Sequence, residues 1–230
     1  MKLLKQQTLL IVVLILLVGC TQMIRPPLQD TSLEELLSIY QKRQEEIPPL
    51  KGLMKVTITD KIDQVFLAKW RSHKGAIEID GFNLIGGTLF TLKLSGSEVS
   101  LVSSENNFQG NREAFAQYLM ENDSEIRIEW VTLLDWLARG GLPDLSVLDR
   151  PALREEDGRL VLSFSNQEVW IDRKTLRVKE VMFHNADGNI GMQFDDYRKI
   201  QQTFFPFSIQ INAGKRQMEI VFKELKVMPE

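Results

Sequence analysis

From residue 52 onward the apolar side chains return at every second position, and that period is the signature of strands. Residues 52–59 set Met54, Val56 and Ile58 against Lys55, Thr57 and Thr59. Residues 64–70 do the same with Phe66, Ala68 and Trp70, and residues 88–95 with Phe90, Leu92 and Leu94. Short returns at 76–80 and 98–103 extend the series. After a helical interruption the alternation resumes at 159–165, 168–172, 176–184, 190–196, 205–211 and 217–227. The links are short and carry turn chemistry, as in Ser95-Gly96-Ser97, Asp187-Gly188-Asn189 and Ala213-Gly214-Lys215. The pattern predicts about eleven antiparallel strands in one meander. Residues 142–156, with two prolines and a charge cluster, read as a loop.

That many antiparallel strands leave two open edges unless the sheet curls, and a curled sheet has a concave face. The alternation nominates Met54, Val56, Ile58, Phe66, Trp70, Phe90, Leu92 and Leu94 for that face. From the later strands it nominates Met192, Phe194, Phe207, Ile209, Met218, Ile220 and Phe222. Three segments with helical spacing are available to cover the mouth, two of them as a lid. Residues 31–46 carry Leu33, Leu36, Leu37 and Tyr40 on one stripe behind Thr31/Glu34 or Ser32/Glu35 capping boxes. Residues 126–139 carry Trp130, Leu133, Leu134 and Leu137, ended by Gly140, Gly141 and Pro143. Residues 111–121 form a third helix. The concave face is either filled by these side chains or left as an apolar cavity; wide barrels leave room for ligand, and Met side chains suit a flexible alkyl chain.

The first nineteen residues are an address. Lys2 and Lys5 precede an unbroken apolar run at 9–18, too short to span about 30 Å of hydrocarbon, with the form of a secretory signal. Leu17-Val18-Gly19-Cys20 resembles the lipobox of bacterial lipoproteins, which implies that Cys20 becomes the first mature residue and carries the lipid anchor. Several acyl chains together anchor a protein stably. Thr21 after the Cys implies outer-membrane routing, at the periplasmic face. Residues 20–30 read as an acylated tether and 31–230 as one domain.

Little of the chain suits catalysis. It contains one Cys and two His, short of the roughly four ligands of a structural zinc site. No G-x-S-x-G, H-E-x-x-H or phosphate-loop motif occurs. A net charge of −3 disfavours nucleic acid. Asp195 and Asp196 are strand neighbours and face opposite ways. No catalytic residue, metal or cofactor is expected.

Three stretches resemble the LolA/LolB lipoprotein-carrier superfamily, with the anchored outer-membrane receptor LolB the nearer likeness. Residues 76–94 (AIEIDGFNLIGGTLFTLKL) resemble its strand–loop–strand segment, 133–143 (LLDWLARGGLP) its helix end, and 192–227 its last strands. Residues 169–175 (VWIDRKT) are more like the soluble carrier. The resemblance implies an incomplete antiparallel β-barrel with a helical lid. It implies a monomer that takes acylated lipoprotein cargo from a periplasmic carrier and inserts it into the outer membrane, with no reaction. By position, Ile85 matches the apolar side chain of the family's protruding membrane loop, flanked by Leu84 and Phe82; the family's common Pro is absent from this loop. Two other readings stand beside it. One is a carrier of a different amphiphile, favoured by a cationic rim for which Lys69, Arg71 and Lys74 are candidates. The other is a structural envelope lipoprotein without ligand.

Overall fold

The computed structural model describes residues 31–229 apart from 61–62, 74, 105–106, 123–133, 135, 138, 144–149 and 186–187. Helix α1 (Leu33–Glu45) comes first, and β1 (Leu50–Thr59), β2 (Gln64–His73), β3 (Ala76–Phe82), β4 (Thr88–Ser95), β5 (Glu98–Ser103) and β6 (Asn107–Asn111) follow. Helix α2 (Arg112–Asn122) interrupts the series. The second run is β7 (Ala152–Glu156), β8 (Arg159–Ser163), β9 (Gln167–Asp172), β10 (Val178–Asn185), β11 (Gly188–Ile200), β12 (Thr203–Ala213) and β13 (Arg216–Val227).

All thirteen strands belong to one antiparallel sheet ordered β6-β5-β4-β3-β2-β1-β13-β12-β11-β10-β9-β8-β7. Each half is a simple meander, and the halves meet where the first strand pairs with the last. The edges, β6 and β7, do not pair with each other, so the sheet is a half-open barrel. The chain between them, residues 112–151, carries α2 and the second helical segment.

The expectation of about eleven strands needs two additions. β6 (NFQGN) has one large apolar residue, Phe108, beside a glycine. β7 (ALREE) lies within residues 142–156, read from the sequence as a loop. Both are edge strands with little buried surface, so neither shows the alternation that a buried face imposes. Charge on β7 also blunts its free edge: Arg154 pairs with Glu156 and Glu168, and Glu155 with Arg173.

The register puts one apolar face across both halves. Met54 sits opposite Ala68 and Phe222, and Val56 opposite Phe66 and Ile220. Trp70 pairs with Ile79, which pairs with Leu92; Ile209 pairs with Ile220 and Phe194. Directly opposed residues share a face, so all fifteen nominated concave-face residues lie on the same side. The outer face is charged: Arg71 pairs with Glu78 at 2.6 Å and Lys93 reaches Glu78 at 3.0 Å. Hydrogen bonds from Lys93 and Arg71 hold the Glu78 carboxyl below its usual range.

α1 covers the concave side, with Leu36 and Tyr40 fully buried. Of the two capping boxes readable in the sequence, Ser32 is the cap used: its hydroxyl accepts from the Glu35 amide at 3.2 Å. α2 is capped by Asn111, whose side chain accepts from the Ala114 amide at 2.8 Å. Its Phe115 and Tyr118 pack on Phe108 of the edge strand.

The seam between β1 and β13 is tightest at Gly52. A Cβ there would stand 2.3 Å from the Glu224 carbonyl oxygen and 2.9 Å from Leu225, beside the register shift at Leu53/Met54. Backbone cannot swing away as a flexible side chain can. Gly52→Ala is therefore expected to destabilise the protein by about 2 kcal/mol, lowering the melting temperature by about 4–8 °C in a thermal scan. An unchanged melting temperature would show that the seam has slack.

Candidate functional site

The concave floor is unevenly covered. Met54, Val56, Trp70, Leu94, Met192, Phe194, Phe207, Ile209, Met218, Ile220 and Phe222 are buried. Ile58, Phe66, Phe90 and Leu92 are half-buried. These four lie on β1, β2 and β4, and Ile58, Phe66 and Phe90 sit toward the end that carries the β3–β4 loop. Phe66 and Phe90 meet edge-to-face at 5.6 Å, and the Phe90 ring lies across Gly81, where a Cβ would sit 2.4 Å from it.

Rings occupy the centre. Trp70, Phe205 and Phe207 all meet Phe222 edge-on, with centroids 6.1, 5.5 and 6.2 Å away. Trp136, from the second helical segment, stacks on Phe194 at 5.9 Å. Leu134 and Leu137 of that segment are buried, as are Leu36 and Tyr40 of α1, while Leu33 and Leu37 are half-buried. Trp130 and Leu133 lie outside the described residues, as does Cys20. Among the described residues, two donors in this interior have no partner: the Tyr40 hydroxyl and the Trp70 indole N–H. An unpaired buried donor costs about 1–3 kcal/mol, so each marks a place where a polar ligand atom would be welcome. Burial pushes the Tyr40 phenol well above the usual tyrosine range; the Arg43 cation opposes the shift and Tyr197 adds to it.

The β3–β4 loop is built to hold two apolar side chains in water. Asn83 ties it together. Its side-chain oxygen accepts from the Ile85 amide at 3.2 Å and the Gly87 amide at 2.7 Å. Its backbone N–H donates to the Gly87 carbonyl, and the Gly86 N–H donates to the Asn83 backbone carbonyl. Gly86 has φ 91, a conformation that L side chains resist. The result presents Leu84 at 67% exposure and Ile85 at 93%. Phe82 stands apart from them. It is the last residue of β3, half-buried, opposite Leu67, with Lys69 over its ring at 5.9 Å.

At the opposite end of the strands, the C-terminus of α1 is latched to three segments. Arg43 donates to the Leu176 and Thr175 carbonyls of the β9–β10 turn. Gln44 donates to the Pro143 carbonyl, and the Thr203 hydroxyl donates to the Glu46 carbonyl at 3.1 Å. Gly140 and Gly141, both at positive φ, let the chain pass close to Phe205, Phe194 and the Tyr197 hydroxyl. Between these segments lies a pocket of about 50 Å³ lined in part by Arg43, Glu46, Arg177, Tyr197, Gln202 and Phe204. Sequence reasoning missed it: its two arginines are far apart in the chain and belong to no motif. The cationic residues proposed from the sequence lie elsewhere, since Lys69 and Arg71 are on the outer face with Arg71 paired to Glu78 and Asp80. Lys74 lies outside the described residues.

His73 is exposed, and His184 contacts Asn189 at 3.2 Å. Asp195 pairs with Lys179 and Asp196 with Arg198.

The latch depends on the β9–β10 turn, where Leu176 holds φ 50. Asp172 imposes that shape. Its carboxylate accepts from the Thr175 amide and hydroxyl, both at 2.7 Å, and its backbone bonds Leu176 and Arg177. Burial raises the Asp172 carboxyl, but hydrogen bonds from Thr175 and Lys174 outweigh it and leave the group below its usual value. A depressed carboxyl stabilises the fold above the unfolded pKa of about 3.9. That contribution is lost as pH falls through the lower folded-state value. Asp172→Ala is expected to cost about 1 kcal/mol in urea unfolding at pH 7, discounted for partial exposure. The gap to the native protein should narrow on acidification below the ordinary aspartate range.

No family model matches the chain, and no curated protein matches it. Solved structures do. A LolA superfamily protein from Nitrosomonas europaea superposes with a TM-score of 0.58 at 8% identity, covering 87% of this chain and 96% of that one. A Vibrio parahaemolyticus domain named for outer membrane lipoprotein sorting gives 0.58 at 12% identity, over 85% and 93%. A DUF1329 family protein from Desulfovibrio piger gives 0.53 at 10%, over 85% and 91%. At such identities the likeness is one of architecture: this chain has the half-open antiparallel barrel of LolA superfamily structures, over nearly their whole length.

Proposed function

We propose that this protein is a lipid-anchored envelope receptor, of the LolB kind, that binds acyl chains of lipoproteins on its concave face and passes them to the outer membrane. The observation that carries this reading is the Asn83-stapled loop, which spends backbone hydrogen bonds to keep Ile85 and Leu84 in water. Burying two such side chains in a bilayer is worth about 1.5–3 kcal/mol each. The half-buried floor residues Ile58, Phe66 and Phe90 lie toward the same end, so an alkyl chain leaving the floor would meet the loop on its way out.

Each step follows from hydrophobic bookkeeping. Acyl chains cannot cross water freely, so a periplasmic carrier delivers them, and the tether at Cys20 keeps the receptor at its membrane. The ring cluster around Phe222 fills the centre of the floor. Chains therefore enter as the lid, α1 and the segment around Leu134, Trp136 and Leu137, lifts from those rings. Transfer runs downhill, from carrier to receptor to bilayer, by a monomer without catalytic residues. A second reading, carriage of a different amphiphile, is favoured by one observation: the Arg43–Arg177 pocket is a cationic rim beside the lid.

Ile85→Glu is expected to lower transfer of an acylated lipoprotein from its carrier to liposomes at least tenfold, read by flotation, with melting temperature and carrier binding unchanged. Undiminished transfer by a folded variant would refute the role given to the loop. Asn83→Ala, which frees the loop while leaving Ile85 in place, is expected to cause a smaller loss of about threefold, less than the cost of fixing one residue's backbone, because β3 and β4 still hold both ends of the loop.

A further inference from the structure

The pocket at the α1 latch holds two guanidinium groups. Arg177 lies flat over Phe204, 3.8 Å from the ring centroid, with Tyr197 at 5.6 Å. Stacking of that kind covers the faces of the guanidinium and leaves its N–H edge available. Arg43 spends donors on the Thr175 and Leu176 carbonyls, which are neutral, so its charge is not cancelled there. Among the described residues neither arginine has a carboxylate within ion-pair distance; Glu46 also lines the pocket and acts on Arg43 only from farther off. Burial and the neighbouring Arg177 lower the pKa of Arg43 from its ordinary value, as expected of a desolvated cation facing another. Gln202 adds an amide to the lining. The pocket's size admits a few waters or one small oxyanion. The Tyr40 hydroxyl, an unpaired donor, is close enough to Arg43 and Tyr197 to feel both.

We propose that this pocket is a phosphate subsite in which Arg43 and Arg177 bind the phosphate of an anionic lipid headgroup at the rim of the barrel. The Arg177 fork matches the bidentate geometry of phosphate oxygens, and Arg43, whose terminal nitrogens also hold the turn carbonyls, adds its charge and remaining N–H groups. Gly140, which lines the pocket, lies so close to the buried Phe205 ring that a Cβ would stand 3.1 Å from it, which places the pocket wall against the apolar interior. A phosphate held here therefore has its acyl chains next to the concave floor. The inference rests on the reading of that floor as an acyl-binding surface and adds a ligand class: a phosphate ester carrying alkyl chains.

The test uses the full acylated chain in a non-ionic detergent, with native mass spectrometry of lipid adducts. Equal amounts of dioctanoyl phosphatidic acid and uncharged dioctanoylglycerol compete for it. The expected result is at least a tenfold bias toward phosphatidic acid, abolished in Arg177→Gln, with dioctanoylglycerol adducts unchanged. Arg177→Lys keeps the charge but loses the fork. It is expected to retain only part of the bias, and it replaces the Gln variant if that one fails to fold. A parallel calorimetric titration with inorganic phosphate separates the sources. Phosphate binding that depends on Arg177, with no adduct of either lipid, would assign the pocket to free phosphate and overturn the acyl-binding reading. Equal adducts of both lipids without phosphate binding would overturn the subsite and leave the acyl-binding reading standing. Binding of none of the three would overturn both.

Discussion

The pairing of β1 with β13 is what makes one surface out of two meanders. Each half alone would be a short antiparallel sheet with one greasy side and nothing to cover it. Joined in register, from Leu50 opposite Val227 to Thr59 opposite Gln217, they give a single curved face. The face is large enough to need a lid. The seam admits no side chain at Gly52, and it lies at the middle of the strand order, with β6 and β7 at its two ends. The insertion at 112–151 runs between those edges. Its described parts reach both halves of the sheet: Phe115 and Tyr118 of α2 pack on Phe108 of β6, and Trp136 stacks on Phe194 of β11.

The lid is held by polar bonds at its rim and by apolar contact beneath. Leu36 and Tyr40 bury fully, which binds α1 strongly but gives no direction. Direction comes from Arg43, Gln44 and the Glu46 carbonyl, each reaching a different loop. Such an arrangement has two consequences. Under the proposed function, an acyl chain entering beneath α1 would have to exchange contacts that Leu36 and Tyr40 already make, which would keep its affinity moderate. And the interior tolerates the unsatisfied Tyr40 and Trp70 donors in a region where every well-packed alternative would be apolar.

The sequence revealed what the buried face imposed and hid what it did not. β12 and β13 read plainly because every second residue from Phe205 to Ile211 and from Met218 to Phe222 is buried. β6 and β7 stayed hidden because edge strands bury little. The loop at 83–87 was legible as three glycine-bounded apolar residues. Phe82, read with that loop, ends β3 instead: the alternation that turns Ile77, Ile79 and Gly81 inward turns its ring outward, opposite Leu67. The arginine pocket was invisible for a different reason. It is assembled from the end of α1, one turn and one hairpin, and its shape hangs on Leu176 at positive φ, a residue type that gives no hint of it. The turn signal in Asp172 to Thr175 marked the place but not the chemistry.

The two candidate sites sit at opposite ends of the strands, and this polarity bears on mechanism. The β3–β4 loop lies at the end where β1 finishes; the latch lies at the end where β1 begins. An amphiphile lying along the floor with its head at the latch has its tails toward Ile85. It would leave tails first, so that the hydrocarbon passes from the floor toward the bilayer with the fewest methylenes exposed to water. A site that held the head at the loop end would have to turn the molecule over in water, exposing each methylene at about 0.8 kcal/mol. The separation of a cationic rim from an apolar tip thus fits a one-way path along the concave face, with the lid determining when the path is open.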